Sequence, residues 1–295
     1  MSNSQAPARL VDAEARAASA VEGQIISSPE EIQKIARNLR RRIITMIGQS
    51  ASGHPGGSLS VTDILASLYF GIMRHRPNDP KWPDRDRLVL SKGHAAPALY
   101  ATLAEAGYFP VEWLSTLRQL NSNLQGHVDL HRTPGVETCS GSLGQGLSIA
   151  TGMALAAKMD SKDYRVYAVL SDGECQEGQT WEASMFAGHH QLDNLTVVVD
   201  NNGCQLDGFI CSILNLDPLP AKWRAFNWHT VEVDGHSIPE LLGALEEARA
   251  TKGSPTAIIA HTIKGKGVSF MENNNAFHGK APTPEEVARA LEELA

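Results

Sequence analysis

No stretch of this chain is apolar for the length needed to cross a bilayer. Its first residues also lack the basic start and long apolar centre of a secretory signal. The four cysteines, Cys139, Cys175, Cys204 and Cys211, show no Cys-x-x-Cys spacing. That argues against a zinc ribbon or a disulfide framework and reads as free thiols in a reducing compartment, so the cytoplasm is the expected location. Basic residues form no long run, and 26 of them are set against 33 acidic ones, for a net charge of −7. Neither a nucleic acid nor an anionic membrane is the expected partner. G-x-G-x-x-G, Walker A and H-E-x-x-H patterns are absent, which argues against a nucleotide fold, an NTPase and a zincin. There is no internal repeat, low-complexity linker or mid-chain boundary.

What is present is enough apolar residue, 42% of 295, for a large buried core. Residues 1–27 are rich in Ala and Ser without a firm period and read as a flexible N-terminal tail, with a short helix over Val11–Val21 as the alternative. Residues 28–295 then read as one domain. Ser28-Pro29-Glu30-Glu31 combines a capping Ser, a Pro at the first helical position and a Glu that closes the capping box. Ile32, Ile35, Leu39, Ile43 and Ile47 follow on one helical stripe, with Arg40 to Arg42 expected largely off it. The same device, Thr283-Pro284-Glu285-Glu286, opens the last helix.

Between these ends, strands are expected at Arg87–Leu90, Arg165–Leu170, Leu195–Asp200, Thr230–Val233 and Thr256–Ala260. Helices are expected at Leu59–Met73, Ala95–Ala106, Val111–Gln119, Ser142–Lys158, Gly178–His190 and Pro239–Ala250. Strands this apolar, separated by helices, indicate an α/β fold: a parallel sheet with helices on both faces. Such sheets bind ligands at the carboxyl ends of their strands.

Two turns fall at those ends. Asp172, in Ser171-Asp172-Gly173, directly follows one expected strand, and Asn202, in Asn201-Asn202, follows the next. Taken singly, Asp-Gly and Asn-Asn are common turn residues. Their shared placement after neighbouring strands favours a site. An ionised Asp and an Asn carbonyl suit a hard cation such as Mg²⁺ or Ca²⁺, and a backbone carbonyl nearby, with Cys204 the candidate, supplies a third oxygen. Gly173 lets backbone approach a diphosphate and aim an N–H at it.

The pair resembles the fingerprint of thiamine-diphosphate enzymes, Gly-Asp-Gly followed about thirty residues later by Asn-Asn, with Ser171 in place of the first Gly. Four further segments resemble the transketolase family in particular: Ser52-Gly53-His54-Pro55-Gly56-Gly57, Ser91-Lys92-Gly93-His94-Ala95, Gly126-His127 and Phe277-His278-Gly279. Gly141-Ser142-Leu143-Gly144-Gln145-Gly146 is similar to a family loop that contacts the cofactor's rings, with Ser142 in place of Pro. The resemblance runs from about Ile32 to Gly279 and implies the diphosphate-binding domain fold. It implies thiamine diphosphate and a divalent metal, Mg²⁺ or else Ca²⁺ or Mn²⁺, held by Asp172, Asn202 and Cys204. By the same resemblance, His94 and His278 contact the diphosphate, and Gly141, Leu143 and Gly173 belong to the cofactor site. His54 and His127 face the reacting carbon and the donor's hydroxyls, where histidine can exchange protons near neutral pH. Glu177 lies at an interface, linked to a partner's acidic group that activates the cofactor.

In this family that acidic group is a glutamate on a second, pyrimidine-binding domain, and no second α/β stretch follows here. The resemblance therefore implies one subunit of a split transketolase, with a partner carrying the pyrimidine domain in an α₂β₂ assembly. Its reaction would move a two-carbon ketol unit from a ketose phosphate to an aldose. The α subunit of a 2-oxoacid dehydrogenase shares the Asp-Gly and Asn-Asn pair but not the histidine segments. A deoxyxylulose-phosphate-synthase-like enzyme shares the Ser-Gly-His-Pro-Gly type of segment but normally has the pyrimidine domain in the same chain. A non-catalytic cofactor-binding subunit is the alternative from a different class.

Overall fold

The structure, a computed structural model, describes residues 27–295; the expected tail, apart from Ser27, and the alternative helix Val11–Val21 lie outside the described residues. The first helix, α1 (Pro29–Ser50), starts where its capping box predicts. The Ser28 hydroxyl accepts from the Glu31 N–H, and Glu31 reaches back to the Ser28 N–H at 2.7 Å. The chain then turns through α2 (Pro55–Ser60) and α3 (Thr62–Ser67), which ends in a π-helical turn over Leu68–Ile72. Strand β1 (Arg87–Leu90) follows, then α4 (Ala96–Glu105), a 3₁₀ segment (Val111–Thr116) and α5 (Gln145–Met159). Next come β2 (Val166–Ser171), α6 (Gly178–His189), β3 (Leu195–Asn201), the short α7 (Ile210–Ile213) and α8 (Leu219–Ala225). The remainder is β4 (His229–Asp234), α9 (Ile238–Ala250), β5 (Thr256–His261) and α10 (Pro284–Glu293), which begins at the second capping box.

All five expected strands exist, and they pair in parallel in the order β1-β2-β3-β5-β4. Leu90, Val169, Val198, Ile258 and Val231 align in register across the sheet. Successive residues alternate between two apolar layers, as strand geometry requires. Tyr167, Val169, Val198, Ile258 and Ala260 pack toward α1, α3, α4 and α9. Ala168, Leu170, Val197, Val199 and Ile259 pack toward α5, α6 and α8. Both faces are covered over β2, β3 and β5, which is why those strands are mostly apolar, whereas the edge strand β4 is largely part-exposed.

Departures from expectation are local. The helix expected at Leu59–Met73 starts earlier, at Pro55, and breaks at Val61. The segment expected at Val111–Gln119 is a 3₁₀ turn. Arg40 is buried, against the expectation that it lies off the apolar stripe, because Asp63 receives its guanidinium from inside the core. The α7 and α8 helices were not foreseen; each is too short to show a period.

The chain leaves β3 toward the α8 face and returns from β4 through α9 on the other face. The chain after β5 ends in α10, whose Ala290 packs into the α1 layer, so neighbouring β3 and β5 send their following helices to opposite faces, and a crevice opens at their carboxyl ends. The rigidity of this platform is testable. Ile258 on β5 is fully buried, so Ile258→Ala is expected to cost about 2–5 kcal/mol, read as a lower urea midpoint with an unchanged slope. Leu120→Ala, at a side chain 93% exposed, is expected to shift the midpoint negligibly. Equal shifts would refute this assignment of the core.

Candidate active site

The carboxyl end of β3 carries a fully buried carboxylate, Asp200. It receives the Lys92 ammonium from the loop after β1, the Ser60 hydroxyl from α2 at 2.6 Å, and the Thr262 hydroxyl from the end of β5. Lys92 also donates to the Gly57 carbonyl at 3.1 Å. One group thus ties together the ends of three strands and the Gly-rich turn after His54.

Beside it, the end of β2 delivers Asp172. Its carboxylate accepts from the Gly173 N–H at 2.8 Å and from the Gly203 N–H in the loop after β3. Burial, and then the charge of Asp200, push its pKa up to about 7. A cation there reverses that penalty, because a positive charge favours the ionised form. Asn202 turns its Oδ1 onto the Cys204 N–H at 3.1 Å. The Cys204 carbonyl accepts no hydrogen bond among the described residues. One carboxylate, one amide oxygen and one free backbone carbonyl, gathered on two adjacent loops, form a donor set fitted to a hard divalent ion.

One expectation changes in detail. The Gly173 N–H is turned onto Asp172 rather than left free, so what Gly173 contributes is the missing side chain, since a Cβ there would come within 2.9 Å of Gln205 Cβ. Ser171 needs no glycine-like conformation, because it is the last residue of β2 and its hydroxyl caps the next turn by accepting from the Glu174 N–H at 3.2 Å.

A cavity of about 290 Å³ lies over these loops, lined by residues that include His94, Leu143, Gly173, Glu177, Asn202 and His278. Asn202 also lines a neighbouring cavity, onto which Asp172 and Gly203 open. The four motif histidines, distant in sequence, meet here. The His54 ring lies 5.7 Å from both His94 and His278 and 6.3 Å from His127, and His94 stacks on His278 at 5.3 Å. Burial, then neighbouring charged groups, lower the pKa of His54 and of His278 to about 4, and burial, then Lys92, holds His94 well below the usual imidazole range. His127 is lowered too, by burial and by Arg118. The cluster is therefore neutral at pH 7, able to donate at one ring nitrogen and accept at the other. Among the described residues, His54 Nδ1 is buried without a partner.

Several residues here escaped the sequence reading. Lys264, in the loop after β5, is almost fully buried and donates to His278 Nδ1 at 2.9 Å, while also reaching Asn275 and the Gln205 carbonyl. Since His278 Nδ1 accepts that bond, its Nε2 carries the proton. Burial draws the Lys264 pKa down to about 8. The signal was a lysine flanked by glycines just past a strand, in Lys264-Gly265-Lys266-Gly267. Glu174 had no such signal. Fully buried and with its pKa raised by burial, it accepts from the Ser91 hydroxyl, from the Gly144 N–H at 2.8 Å and from the Ser171 N–H at 3.4 Å. It thus anchors the Gly141–Gly146 loop, which the Gly93 backbone approaches so closely that a Cβ on Gly93 would meet the Gly141 nitrogen at 2.6 Å. Gly141 itself lies against the His127 ring rather than on the cavity wall. Glu177 is exposed at the cavity rim.

A parallel α/β sheet that gathers two buried lysines and neutral histidines at the carboxyl ends of its strands defines an α/β domain of the diphosphate-binding class, with oxygen donors whose chemistry suits a cation. Residues 32–295 match the family model described as "Transketolase, thiamine diphosphate binding domain". The chain belongs to that family. It is 48% identical to the 6-deoxy-6-sulfo-D-fructose transketolase subunit SqwG of Clostridium sp. (strain MSTE9), over 90% of this chain and 96% of that protein. It is 44% identical to an apulose-4-phosphate transketolase subunit of Actinobacillus succinogenes, over 90% and 97% of the two chains. Mouse transketolase is 43% identical over 89% of this chain, which spans only 41% of that enzyme. The crystal structure of Campylobacter jejuni transketolase superposes with a TM-score of 0.85 at 35% identity, covering 89% of this chain and 42% of that one.

The histidine shifts carry a pH dependence. The folded His54 and His278 hold protons less readily than the unfolded chain does, so between pH 6.5 and about 4 the unfolded state binds the excess protons. Stability is thus expected to fall as pH drops through that window. A His54→Gln, His278→Gln chain should lose stability less steeply between pH 6.5 and about 4 in urea titrations. Parallel curves for the two proteins would count against buried neutral histidines.

Proposed function

We propose that this chain is the diphosphate-binding subunit of a split transketolase, moving a two-carbon ketol unit from an anionic ketose to an aldose when joined to a pyrimidine-domain partner. The observation that carries this is the convergence, around two adjoining cavities, of the Asp172, Asn202 and Cys204 oxygen set with Lys264, His94 and His278. The donor set favours Mg²⁺, with Ca²⁺ or Mn²⁺ as substitutes of the same oxygen-ligand class. When bound, thiamine diphosphate supplies the chemistry that breaks and remakes the ketose carbon–carbon bond.

The chain's own residues bind, orient and move protons. Lys264 fixes His278 with its proton on Nε2, a neutral donor suited to a phosphate oxygen. His94 stacks on that ring and shares the task. Leu143 and the Gly141 loop, held by Glu174, shape the wall where the cofactor's rings lie. His54 and His127 stand beyond His278, neutral and ready to take or return a proton at a sugar hydroxyl. Glu177, exposed at the rim, faces the partner's acidic group.

Several apolar side chains are exposed: Leu206 and Phe209 on the walls of the two cavities, and Ile149 on α5, Met185 and Phe186 on α6 and Leu214 after β3. Such a surface on a chain with a full core of its own supports a protein partner. We place the assembly as α₂β₂ and in the cytoplasm; no described helix is long and apolar enough to cross a membrane. The relatives' names, a sulfonated and a phosphorylated sugar, support an anionic ketose as the substrate class.

Asp172→Ala removes the charged ligand, so calorimetry is expected to show Mg²⁺-dependent thiamine diphosphate binding falling below detection while the fold persists. Unchanged affinity would dispose of the metal assignment. Gentle purification from the native host with thiamine diphosphate and Mg²⁺ is expected to recover a stoichiometric pyrimidine-domain chain. Recovery of this chain alone, with cofactor bound, would favour a cofactor-binding role without catalysis.

A further inference from the structure

Three metal-ligating side chains that the crevice does not use meet on the loop between His127 and Gly141. They are Asp129, His131 and Cys139, and their donor atoms all lie within 4.8 Å of one another. Residues 128–140 contain no helix or strand, so the loop is ordered by its own bonds. The Asp129 carbonyl accepts from the Thr133 N–H at 3.0 Å, and Thr133 is buried. Glu137 receives the Arg85 guanidinium in two bonds, of 2.7 and 2.6 Å. The Ser140 N–H donates to the Val128 carbonyl at 3.3 Å and closes the base of the loop. The three side chains are therefore held near one another before any ligand arrives, as a binding site requires.

Their spacing fits a tetrahedral ion. The Cys139 thiol donates to Asp129 Oδ1 across 3.6 Å, and the His131 N–H reaches the same oxygen at 2.8 Å. A zinc ion with bonds of about 2.3 Å to sulfur and about 2.1 Å to oxygen holds two such atoms about 3.6 Å apart. The ion can thus take the place of the thiol proton while sulfur and oxygen keep their separation. The ring nitrogens of His131 make no hydrogen bond among the described residues. His131 and Cys139 are exposed, so both side chains are free to turn onto the ion, and a fourth position stays open to water. Arg132 sets one positive charge against a cation, but its Nε lies 3.7 Å from the other carboxylate oxygen, Oδ2, and leaves Oδ1 to the site.

The donor chemistry separates this cluster from the loops around Asp172. An all-oxygen set suits Mg²⁺, whereas a thiolate, an imidazole and a carboxylate together suit a softer ion. We propose that Asp129, His131 and Cys139 form a second metal site, for Zn²⁺ or an ion of its class, with water as the fourth ligand. Binding releases the Cys139 proton to solvent as the sulfur–metal bond forms, and no electron is transferred. The ion fastens the segment that follows His127 to the one that leads into Gly141, which itself lies against the His127 ring. It is a clasp on the loop that carries this histidine. The inference stands apart from the transketolase reading, because neither cofactor nor substrate enters it.

The test uses the full chain, reduced and with Mg²⁺ in excess, titrated with Co²⁺. Cobalt bound to a thiolate gives a charge-transfer absorption that an all-oxygen site does not give. One equivalent is expected to produce that band with release of about one proton per ion at pH 7, and Zn²⁺ added afterwards is expected to erase it. Cys139→Ser should abolish the band, while His131→Ala and Asp129→Asn should each weaken cobalt binding about tenfold or more. Cys211→Ser, which removes the other exposed thiol, should leave it intact. Zn²⁺ should also raise the urea midpoint of the native chain and not that of Cys139→Ser. Absence of the band, or its survival in Cys139→Ser, overturns the proposal. So does a band that needs Cys139 but is indifferent to both His131→Ala and Asp129→Asn, since that describes a lone surface thiol. Should Cys139→Ser fail to fold, the His131→Ala titration decides by itself.

Discussion

The buried carboxylate of Asp200 is the constraint from which the rest of the site follows. A fully buried anion at the end of the central strand is tolerable only if it is paired and hydrogen-bonded. Lys92, Ser60 and Thr262 meet that demand. In doing so they draw the loop after β1, the helix after His54 and the end of β5 onto one point. Removing either partner of such a pair leaves an uncompensated charge, with a cost of about 3–5 kcal/mol. The Gly-rich turn of α2 and the histidine loops therefore cannot drift independently. Burial, and then the same negative charge, raises the pKa of neighbouring Asp172, a penalty that a cation would reverse.

The second organising effect is desolvation. Four imidazoles crowded against two buried lysines cannot all be charged, and burial settles the matter by keeping them neutral. Neutral rings donate and accept at once, as groups passing protons to and from sugar hydroxyls must. Positive charge is confined to the two lysines and, beside His127, to Arg118. Glu174 performs the corresponding service for backbone, since its single carboxylate satisfies donors from three segments and holds the cofactor loop without a regular element.

Legibility in the sequence tracked how local the determining physics is. The capping boxes at Ser28 and Thr283 marked their helices to the residue, because both partners of each bond lie within one turn. Five apolar strands flanked by helices implied the parallel sheet, since burial on both faces leaves a continuous apolar run. The histidine segments, Asp172 and Asn202 were visible as motifs, and the tertiary fold gathers them around two adjoining cavities. Lys264, Glu174 and the inward turn of Arg40 were not visible. Each is buried only because a partner far away in the chain, His278, Gly144 or Asp63, comes to meet it.

By itself, then, the sequence determined the five strands, the longer helices, their parallel arrangement and the chemical types at the strand ends, because propensity, capping and apolar periodicity act over a few residues. Only the tertiary structure decided which of eleven histidines stand together, which way their protons lie, and that Asp200 rather than Asp172 carries the buried ion pair. Those are questions of desolvation and of distance between segments far apart in the chain, and they have no local signature.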